Sequence, residues 1–324
     1  MSFNQFTNLD FNDLKTQIKD YLRSNSNFTD FDFEGSNFSV LIDNLAYNSY
    51  ITAYNTNMAV NEAFIDSATV RENVVSLARN IGYVPRSKRS AIAKINFTVD
   101  TSALGARYVT LNPGVVAVGQ VQNGNYIYSV PDKVTVTPDN AGLATFENVS
   151  IYEGSYLTKK FTVNTAQVDA KYIIPNANVD TTTIQVNVET GGVTETYNAY
   201  ENIFNVNAES RLFLIQEIED EKYQILFGDG ILGKKPDNGA VITVSYITTN
   251  GVDGNGATNF NFSGNITYPV RSGDRLIDST VTSGISLITT VQSSQNGDNI
   301  ESIDNVKYLA PRVYASQFRA VTAN

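Results

Sequence analysis

The chain has 324 residues, a net charge of −10 and neither cysteine nor histidine, so it offers no thiolate or imidazole for metal binding, nucleophilic attack or proton transfer near neutral pH. The acidic balance also argues against a duplex nucleic acid partner, because counterion release needs clustered Lys and Arg. No segment has the roughly 18 consecutive apolar residues of a membrane span, and the first residues lack a signal peptide's features, so we expect a protein made in the cytosol, without enzyme activity, cofactor, metal or membrane partner.

The first predicted element is a helix over residues 9–24. Its apolar side chains recur at helical spacing at Phe11, Leu14, Ile18 and Leu22. Asp10 stands where an N-cap residue belongs, because its carboxylate can accept hydrogen bonds from the first free amides of a helix. The pattern therefore predicts a short amphipathic helix that needs a partner for its apolar side.

A longer helix is predicted over residues 38–64, about 40 Å long at the usual rise per residue. Three- and four-residue spacings place on one face Phe38, Leu41, Ile42, Leu45, Ala46, Tyr50, Ala53, Tyr54 and Met58. The chain offers only two more helices nearby, so we expect another molecule to cover part of this stripe. The interface candidates on this helix are Phe38, Leu41, Leu45, Tyr50, Tyr54 and Met58.

A third helix is predicted before Gly82 and Pro85, which form a stop signal, and Thr69 with Glu72 forms a capping box at its start. Val74 and Leu77 lie on its apolar stripe. They are core residues in one interpretation and interface residues with partner helices in the other. The basic cluster that follows, residues 86–89, is predicted to be a solvated linker and not a phosphate site.

From about residue 91 to 256 the apolar period changes to two, with alternation over residues 92–99, 133–136, 184–188 and 241–246. Gly, Pro, Asn and Asp separate these runs. The pattern predicts an antiparallel β domain, either a sandwich or a partial barrel. The carboxylates of residues 217–221 fall between two strand patterns, so a charged hairpin turn is favoured over a glycoside hydrolase pair.

The glycine-rich segment at residues 228–239 matches a dinucleotide pattern and most of a phosphate loop. Both need a helix directly afterwards, and a phosphate loop also needs Ser or Thr where Lys235 stands. Pro236 and a turn lead here into a strand pattern. We therefore predict a structural turn that depends on Gly228, Gly230, Gly233, Pro236 and Gly239.

The end of the chain predicts a short helix over residues 300–311 that is ended by Pro311. The α+β organisation we expect is a helical docking region at 1–85, an antiparallel β domain at 86–257 and, at 258–324, the start of a further, incomplete carboxy-terminal domain.

Two groups of residues resemble baseplate wedge proteins of contractile-tailed, T4-like phages, within the baseplate J-like family. The amino-terminal group is Asp32–Ser36, Leu45–Asn48, Ala68–Thr69 and Asn80–Pro85. The central group is Phe227–Gly230 with Gly233, Pro236, Gly239, Tyr246 and Gly254–Asn255. Residues 111–114 also resemble an early hairpin of that family, and residues 319–322 resemble the motif that opens its carboxy-terminal domain.

The resemblance implies a structural subunit of the virion's tail baseplate, assembled in the host cytoplasm. Such a subunit would link wedges into a ring around the hub and take part in the rearrangement that triggers sheath contraction. Its implied partners are itself, as a homodimer within a wedge and in ring contacts between wedges, other wedge proteins and a sheath-initiator protein. A β-rich receptor-binding or carbohydrate-binding tail protein is the alternative, and it would need an exposed aromatic groove on the β domain. A cell-wall hydrolase is a third.

Overall fold

A computed structural model describes residues 7, 9–24, 37–122, 124–167, 170–200, 206–272 and 275–316. Two resemblance motifs, residues 32–36 and 319–322, lie outside the described residues. The chain forms two compact units, one from residues 1–84 together with 302–324 and the other from residues 85–301. The first unit is helical and the second is built of strands, so the predicted α+β class is confirmed.

The helical unit contains four helices in the part of the chain that the structure describes: α1 (Phe11–Ser24), α2 (Asn37–Glu62), α3 (Arg71–Asn80) and α4 (Ile303–Ser316). The predicted cap of α1 is present, because Asp10 Oδ1 accepts the amides of Asn12 at 2.8 Å and Asp13 at 3.1 Å. Helix α1 packs along α2, and an ion pair of 2.5 Å joins Lys15 to Asp43 across them.

Helices α3 and α4 share a small core. Ala68, Val74, Ala78, Val306 and Ala310 are each 0% exposed and contact one another. Small side chains let the two helices approach closely, and the valines fill the space between them. Leu77 packs half-buried against the same core. Val74 is therefore a core residue of this unit, which removes it from the interface candidates.

Helix α4 does not end at Pro311, as the sequence predicts. Proline removes one amide donor and crowds the preceding turn, yet Pro311 lies inside a helix that continues to Ser316. The first turns of α4 are fixed by the buried contacts of Val306 and Ala310. One lost backbone hydrogen bond does not stop the residues on either side from remaining helical.

The second unit is built almost entirely of antiparallel strands. In the described residues the strands are β1 (Ile92–Asp100), β2 (Val109–Leu111), β3 (Gly114–Val121), β4 (Gly124–Val130), β5 (Val134–Val136), β6 (Leu143–Glu153), β7 (Ser155–Thr162), β8 (Tyr172–Ile174), β9 (Val179–Thr190), β10 (Val193–Ala199), β11 (Leu212–Glu217), β12 (Tyr223–Phe227), β13 (Val241–Thr248), β14 (Phe260–Phe262), β15 (Ile266–Ser272), β16 (Arg275–Thr280) and β17 (Thr289–Gln295). Strands β10 and β11 form a parallel pair, in which Asn198 lies opposite Leu212 and Ala199 opposite Phe213.

Three sheets and two cores organise these strands. The sheet orders are β14-β3-β4-β6-β1-β17, β7-β13-β9-β10-β11-β12-β8 and β16-β15-β2-β5. The six- and four-stranded sheets enclose one core, in which Phe97 stacks on Phe146 at 4.6 Å between ring centroids. The seven-stranded sheet surrounds a core of its own, with Phe213, Tyr223 and Tyr246 buried inside it, as a partial barrel does.

Residues 258–316 are divided between the two units, which differs from the predicted boundary at residue 257. Strand β14 pairs with β3 and strand β17 pairs with β1, so both complete a sheet of the β unit. The ring of Phe260 meets that of Tyr128 edge-on at 4.9 Å in the core. Residues 303–316 instead join the helical unit as α4.

The shared core of α3 and α4 generates a stability prediction. Val306→Ala removes two buried methyl groups and should lower the free energy of unfolding of the helical unit by about 1–3 kcal/mol. Thermal unfolding followed by far-UV circular dichroism measures the change. Asn305→Ala, an exposed neighbour on the same helix, is the control and should stay within about 0.5 kcal/mol of the parent. Equal losses for both variants would contradict the proposed packing.

Candidate functional site

The predicted apolar stripe of α2 is split by the fold. Ile42 and Ala46 are buried, together with the polar residues Ser39, Asn57 and Asn61. Tyr50 and Ala53 are half-buried along the same line, and the other apolar residues of the stripe lie on two flanks beside it. Ile42 and Ala46 therefore belong to the interior of the unit, and the candidate surface consists of what remains on the flanks.

The first flank is formed by Phe38, Leu41 and Leu45, which are 40%, 52% and 49% exposed. On a helix with about 100° between successive residues they fall within roughly 60° of one another. All three are interface candidates from the sequence, and the structure brings them together on one exposed strip of a single helix.

The second flank was only partly visible in the sequence. It comprises Val40, Tyr47, Ile51, Tyr54 and Met58, of which the first four are exposed and Met58 is half-buried. From Tyr47 to Met58 the spacing alternates between four and three, which is the pattern of a coiled-coil seam. Val40, Tyr47 and Ile51 are flank residues that the predicted stripe left out, while the candidate Tyr50 is half-buried.

Buried polar contacts fix Thr7 on α2. Asn57 is 0% exposed. Its side-chain Nδ2 donates to Thr7 Oγ1 at 2.6 Å, and its Oδ1 accepts the backbone amide of Thr7 at 3.2 Å. The hydroxyl of Thr7 also donates to the carbonyl of Ala53 at 3.2 Å. Because a buried amide that loses its partner is costly, this pair sets the register of Thr7 on the helix.

A carboxylate from α2 caps α3. The expected capping box with Thr69 as its cap is wrong, because α3 has Val70 at its N-cap position. Glu62 Oε1 accepts the amide of Thr69 at 2.8 Å and its hydroxyl at 2.7 Å, and Oε2 accepts the side-chain amide of Asn73 at 2.8 Å. Glu62 therefore ties the end of α2 to the first turn of α3.

The electrostatics of Glu62 follow from these contacts. Partial burial raises the pKa of the carboxyl, but the hydrogen bonds from Asn73, Thr69 and Val70 to the charged form outweigh it and leave the pKa below its ordinary value. The charged form is thus the one that the fold prefers.

The glycine-rich segment lies in a tight connection between β12 and β13, and a strand rather than a helix follows it directly. Gly230, Gly233 and Gly239 have φ angles of 92°, 91° and 80°. A Cβ at Gly228 would lie 2.3 Å from the carbonyl carbon of Gly233, closer than atoms can approach. Pro236 is buried at the end of the segment.

The lysine of the apparent phosphate loop is used inside the β unit. Lys234 Nζ donates to Glu195 Oε2 at 2.6 Å, and Arg211 donates to Glu195 Oε1 at 2.8 Å. Hydrogen bonding by the neighbouring cations lowers the pKa of Glu195, and the same contact with Glu195 raises the pKa of Lys234. This arrangement joins β10 to the glycine segment.

The basic cluster is held by backbone hydrogen bonds and by one ion pair of Arg86, so it is not the solvated linker that the sequence predicts, although Arg89 is exposed. Arg86 forms a 2.5 Å ion pair with Asp298, and the backbone of Arg89 exchanges hydrogen bonds of 2.9 and 3.1 Å with that of Asp298. Arg86 also donates its amide to the carboxylate of Glu301 at 2.9 Å and accepts the amide of Glu301 at 3.0 Å. We call this pairing of residues 86–89 with 298–301 the clamp.

The carboxylates of Glu219, Asp220 and Glu221 lie at the turn between β11 and β12, as predicted, with Asp220 and Glu221 at positive φ, whereas Glu217 is the buried last residue of β11. Within the described ranges no group of three or more Asp and Glu side chains is arranged to share a metal ion. In the same part of the chain no helix combines the length and apolarity needed to cross a bilayer.

Comparison with known proteins gives two matches. Residues 10–83 match the helical domain of the family described as baseplate wedge protein gp6-like. The chain is also 27% identical over 276 residues to the baseplate wedge protein gp6 of Enterobacteria phage T4, an alignment that covers 79% of this chain and 41% of that protein. The chain therefore spans less than half the length of this relative. The family match falls on α1, α2 and α3, which include both exposed flanks.

The lowered pKa of Glu62 predicts a pH effect with a defined sign. The stabilising contribution of Glu62 should be complete above the carboxyl's unfolded pKa, about 4.5, and should be lost as the pH falls through the folded value. Glu62→Gln should destabilise the helical unit by about 1 kcal/mol at neutral pH and remove this part of the acid dependence. The free energy of unfolding of the parent and of Glu62→Gln, measured from neutral pH to below the ordinary carboxyl pKa, tests this prediction, with Asp66→Asn as control. A Glu62→Gln profile parallel to that of the parent would contradict the assigned role.

The approach of Gly228 to Gly233 predicts a second effect. Gly228→Ala should force the backbone apart and lower the free energy of unfolding by about 1–3 kcal/mol or more. Gly191→Ala, with a φ of 60° but open space around the new methyl group, is the control and should lose only about 1–2 kcal/mol. Thermal unfolding of the two variants compares them, and a harmless Gly228→Ala would show that this approach does not constrain the turn.

Proposed function

We propose that this chain is a structural, non-enzymatic subunit of a phage tail baseplate wedge, located in the tail baseplate of the virion and assembled in the host cytoplasm. The main observation behind the proposal is that the family match and the exposed apolar surface fall on the same segment. The segment that matches the wedge-protein helical domain, residues 10–83, is the segment whose longest helix leaves two apolar flanks exposed.

Helix α2 is suited to docking because its flanks carry little charge. Asp43 and Glu62 are the only charged residues among its 26, and each makes contacts inside the unit. Asn, Ser, Thr and Tyr provide the remaining polarity. Burying such a surface costs less than burying one rich in Lys and Glu, the residue types that are depleted at interface cores.

The two flanks support more than one contact at a time. Their centres are about 140° apart around a helix with 100° per residue. One partner helix can therefore lie along the seam from Val40 to Met58 while another element covers Phe38, Leu41 and Leu45. We propose self-association as a homodimer within a wedge and in ring contacts between wedges, together with binding to other wedge proteins and to a sheath-initiator protein.

The finer role follows from these partners. We propose that the subunit belongs to the baseplate J-like family, links wedges into a ring around the hub and takes part in the rearrangement that triggers sheath contraction. The 27% sequence identity to the T4 wedge protein, over 79% of this chain, supports the role. The exposed apolar flanks and the absence of His and Cys from the sequence also support it.

The test of the docking role is the double variant Leu41→Asp, Leu45→Asp. Both side chains are about half exposed, so the variant should fold, but each new charge would be buried without a partner in the assembly, at several kcal/mol. We expect wedge intermediates with co-expressed wedge proteins to disappear in size-exclusion chromatography.

The matched control is Asn44→Asp, Asn55→Asp, which adds the same two charges to exposed positions of α2 between the flanks. It should assemble like the parent. Normal incorporation of the Leu41, Leu45 variant into baseplates would mean that the first flank does not dock, and failure of both variants would point to the charge of the helix and not to this surface.

A further inference from the structure

The tip of the glycine segment displays two aliphatic side chains on a rigid turn. Ile231 is 75% exposed and Leu232 is 54% exposed. Asp229 Oδ1 accepts the amides of Ile231 at 2.8 Å and Leu232 at 2.9 Å, and the amide of Gly230 donates to the carbonyl of Gly233 at 3.0 Å. The turn is thus fixed before any binding, so placing the tip in a partner would cost little conformational entropy.

A pocket of about 420 Å³ opens beside the same segment. Its apolar lining comes from β8, from β12, from the segment's end and from the connection between β7 and β8, and it consists of Val163, Ala170, Tyr172, Ile225, Leu226, Phe227 and Pro236. The polar lining is supplied by Asn164, Thr165, Gln167 and Lys235, all of them exposed. The volume lies in the range of about 300–1,000 Å³ at which pockets take drug-sized ligands, which leaves room for two aliphatic side chains.

The tip and the pocket are neighbours on one surface. Gly228 lines the pocket and lies against Gly233, which closes the turn that carries the tip. A two-fold interface uses the same patch on both copies. If one part of the patch contacts a second part on the partner, the second part of the first copy contacts the first part of the partner. An apolar projection next to an apolar recess meets this requirement, because a nearby two-fold axis places each tip in the opposite pocket.

The charges agree with this arrangement. Asp229 is exposed at the base of the tip and Lys235 is exposed at the pocket. When the tip of one copy enters the pocket of the other, the carboxylate of Asp229 arrives beside the ammonium of Lys235, and the symmetry repeats the pair. Two like charges would instead oppose the approach.

We propose that this face of the β unit is a reciprocal contact between two copies of the chain, in which Ile231 and Leu232 of each copy occupy the pocket of the other. The inference rests on the proposed assembly role, which it deepens by naming a self-association surface outside the helical unit. The contact is isologous, so two tips and two pockets are used at once.

Three variants of the full chain test the contact by sedimentation over a range of concentrations. Ile231→Ser with Leu232→Ser removes the tip, Gln167→Trp obstructs the pocket from an exposed position, and Val193→Ser with Leu287→Ser is a control at exposed aliphatic residues elsewhere on the β unit. We expect self-association about 100-fold weaker or more for the first variant, because burial of two aliphatic side chains is lost in each copy. The pocket variant should weaken similarly, and the control should match the parent.

A mixture of the tip variant and the pocket variant separates a reciprocal contact from other geometries. The mixed pair retains one intact tip facing one intact pocket, so we expect association stronger than that of either variant alone. If the tips packed against each other, mixing would restore nothing. A monomeric parent, or a tip variant that self-associates like the parent, would overturn the proposal.

The wedge assay keeps this outcome distinct from the docking role. If the tip variant self-associates normally and the Leu41, Leu45 variant still fails to form wedge intermediates, the reciprocal contact is wrong and the proposed function stands. A tip variant that loses a co-expressed wedge partner but keeps its self-association would assign the tip to that partner and also overturn the contact proposed here.

Discussion

The clamp between residues 86–89 and 298–301 is the constraint on which the organisation of the chain depends. Because the helical unit takes residues from both ends of the sequence, the β unit must bring residues 85 and 301 together. Backbone hydrogen bonds between Arg89 and Asp298, the Arg86–Asp298 ion pair and the buried carboxylate of Glu301 do this. The ion pair is partly exposed and contributes little by itself, so the paired backbone carries most of the constraint.

The sequence predicts those parts of the fold that depend on local periodicity. The cap at Asp10, the helical pattern of α2 and the alternating strands are all present, because burial of one face imposes period 3.6 or 2 directly on the residues. Long-range contacts are different. The capping of α3 by Glu62, the pairing of Arg86 with Asp298 and the docking of α4 on Val74 join residues whose partners have no fixed spacing. The continuation of α4 beyond Pro311 likewise shows tertiary packing overriding a local signal.

The same distinction explains what sequence reasoning established about the candidate site. Spacing correctly places Phe38, Leu41 and Leu45 together, but it cannot tell which line of an apolar helix the chain covers itself. The structure assigns Ile42 and Ala46 to the interior and adds to the exposed surface Val40, Tyr47 and Ile51. In the glycine segment, Lys235 and the strand pattern after Pro236 argued against a nucleotide loop. The ion pair of Lys234 with Glu195 could not be predicted, because Glu195 comes from β10, far from Lys234 in the sequence.

The insertion of the β unit between the two parts of the helical unit has a consequence for the order of synthesis. The face of α3 formed by Val74 and Ala78 stays uncovered until residues 303–310 have been made, since Val306 and Ala310 complete that core. At about 5–20 residues per second, the 217 intervening residues take roughly 10–40 s to translate. Most strands of the β unit are made during that interval, and β17, the partner of β1, is made at its end. A nascent chain thus cannot finish its helical core before its β unit has emerged, and premature capture by a partner would compete with α4 for α3.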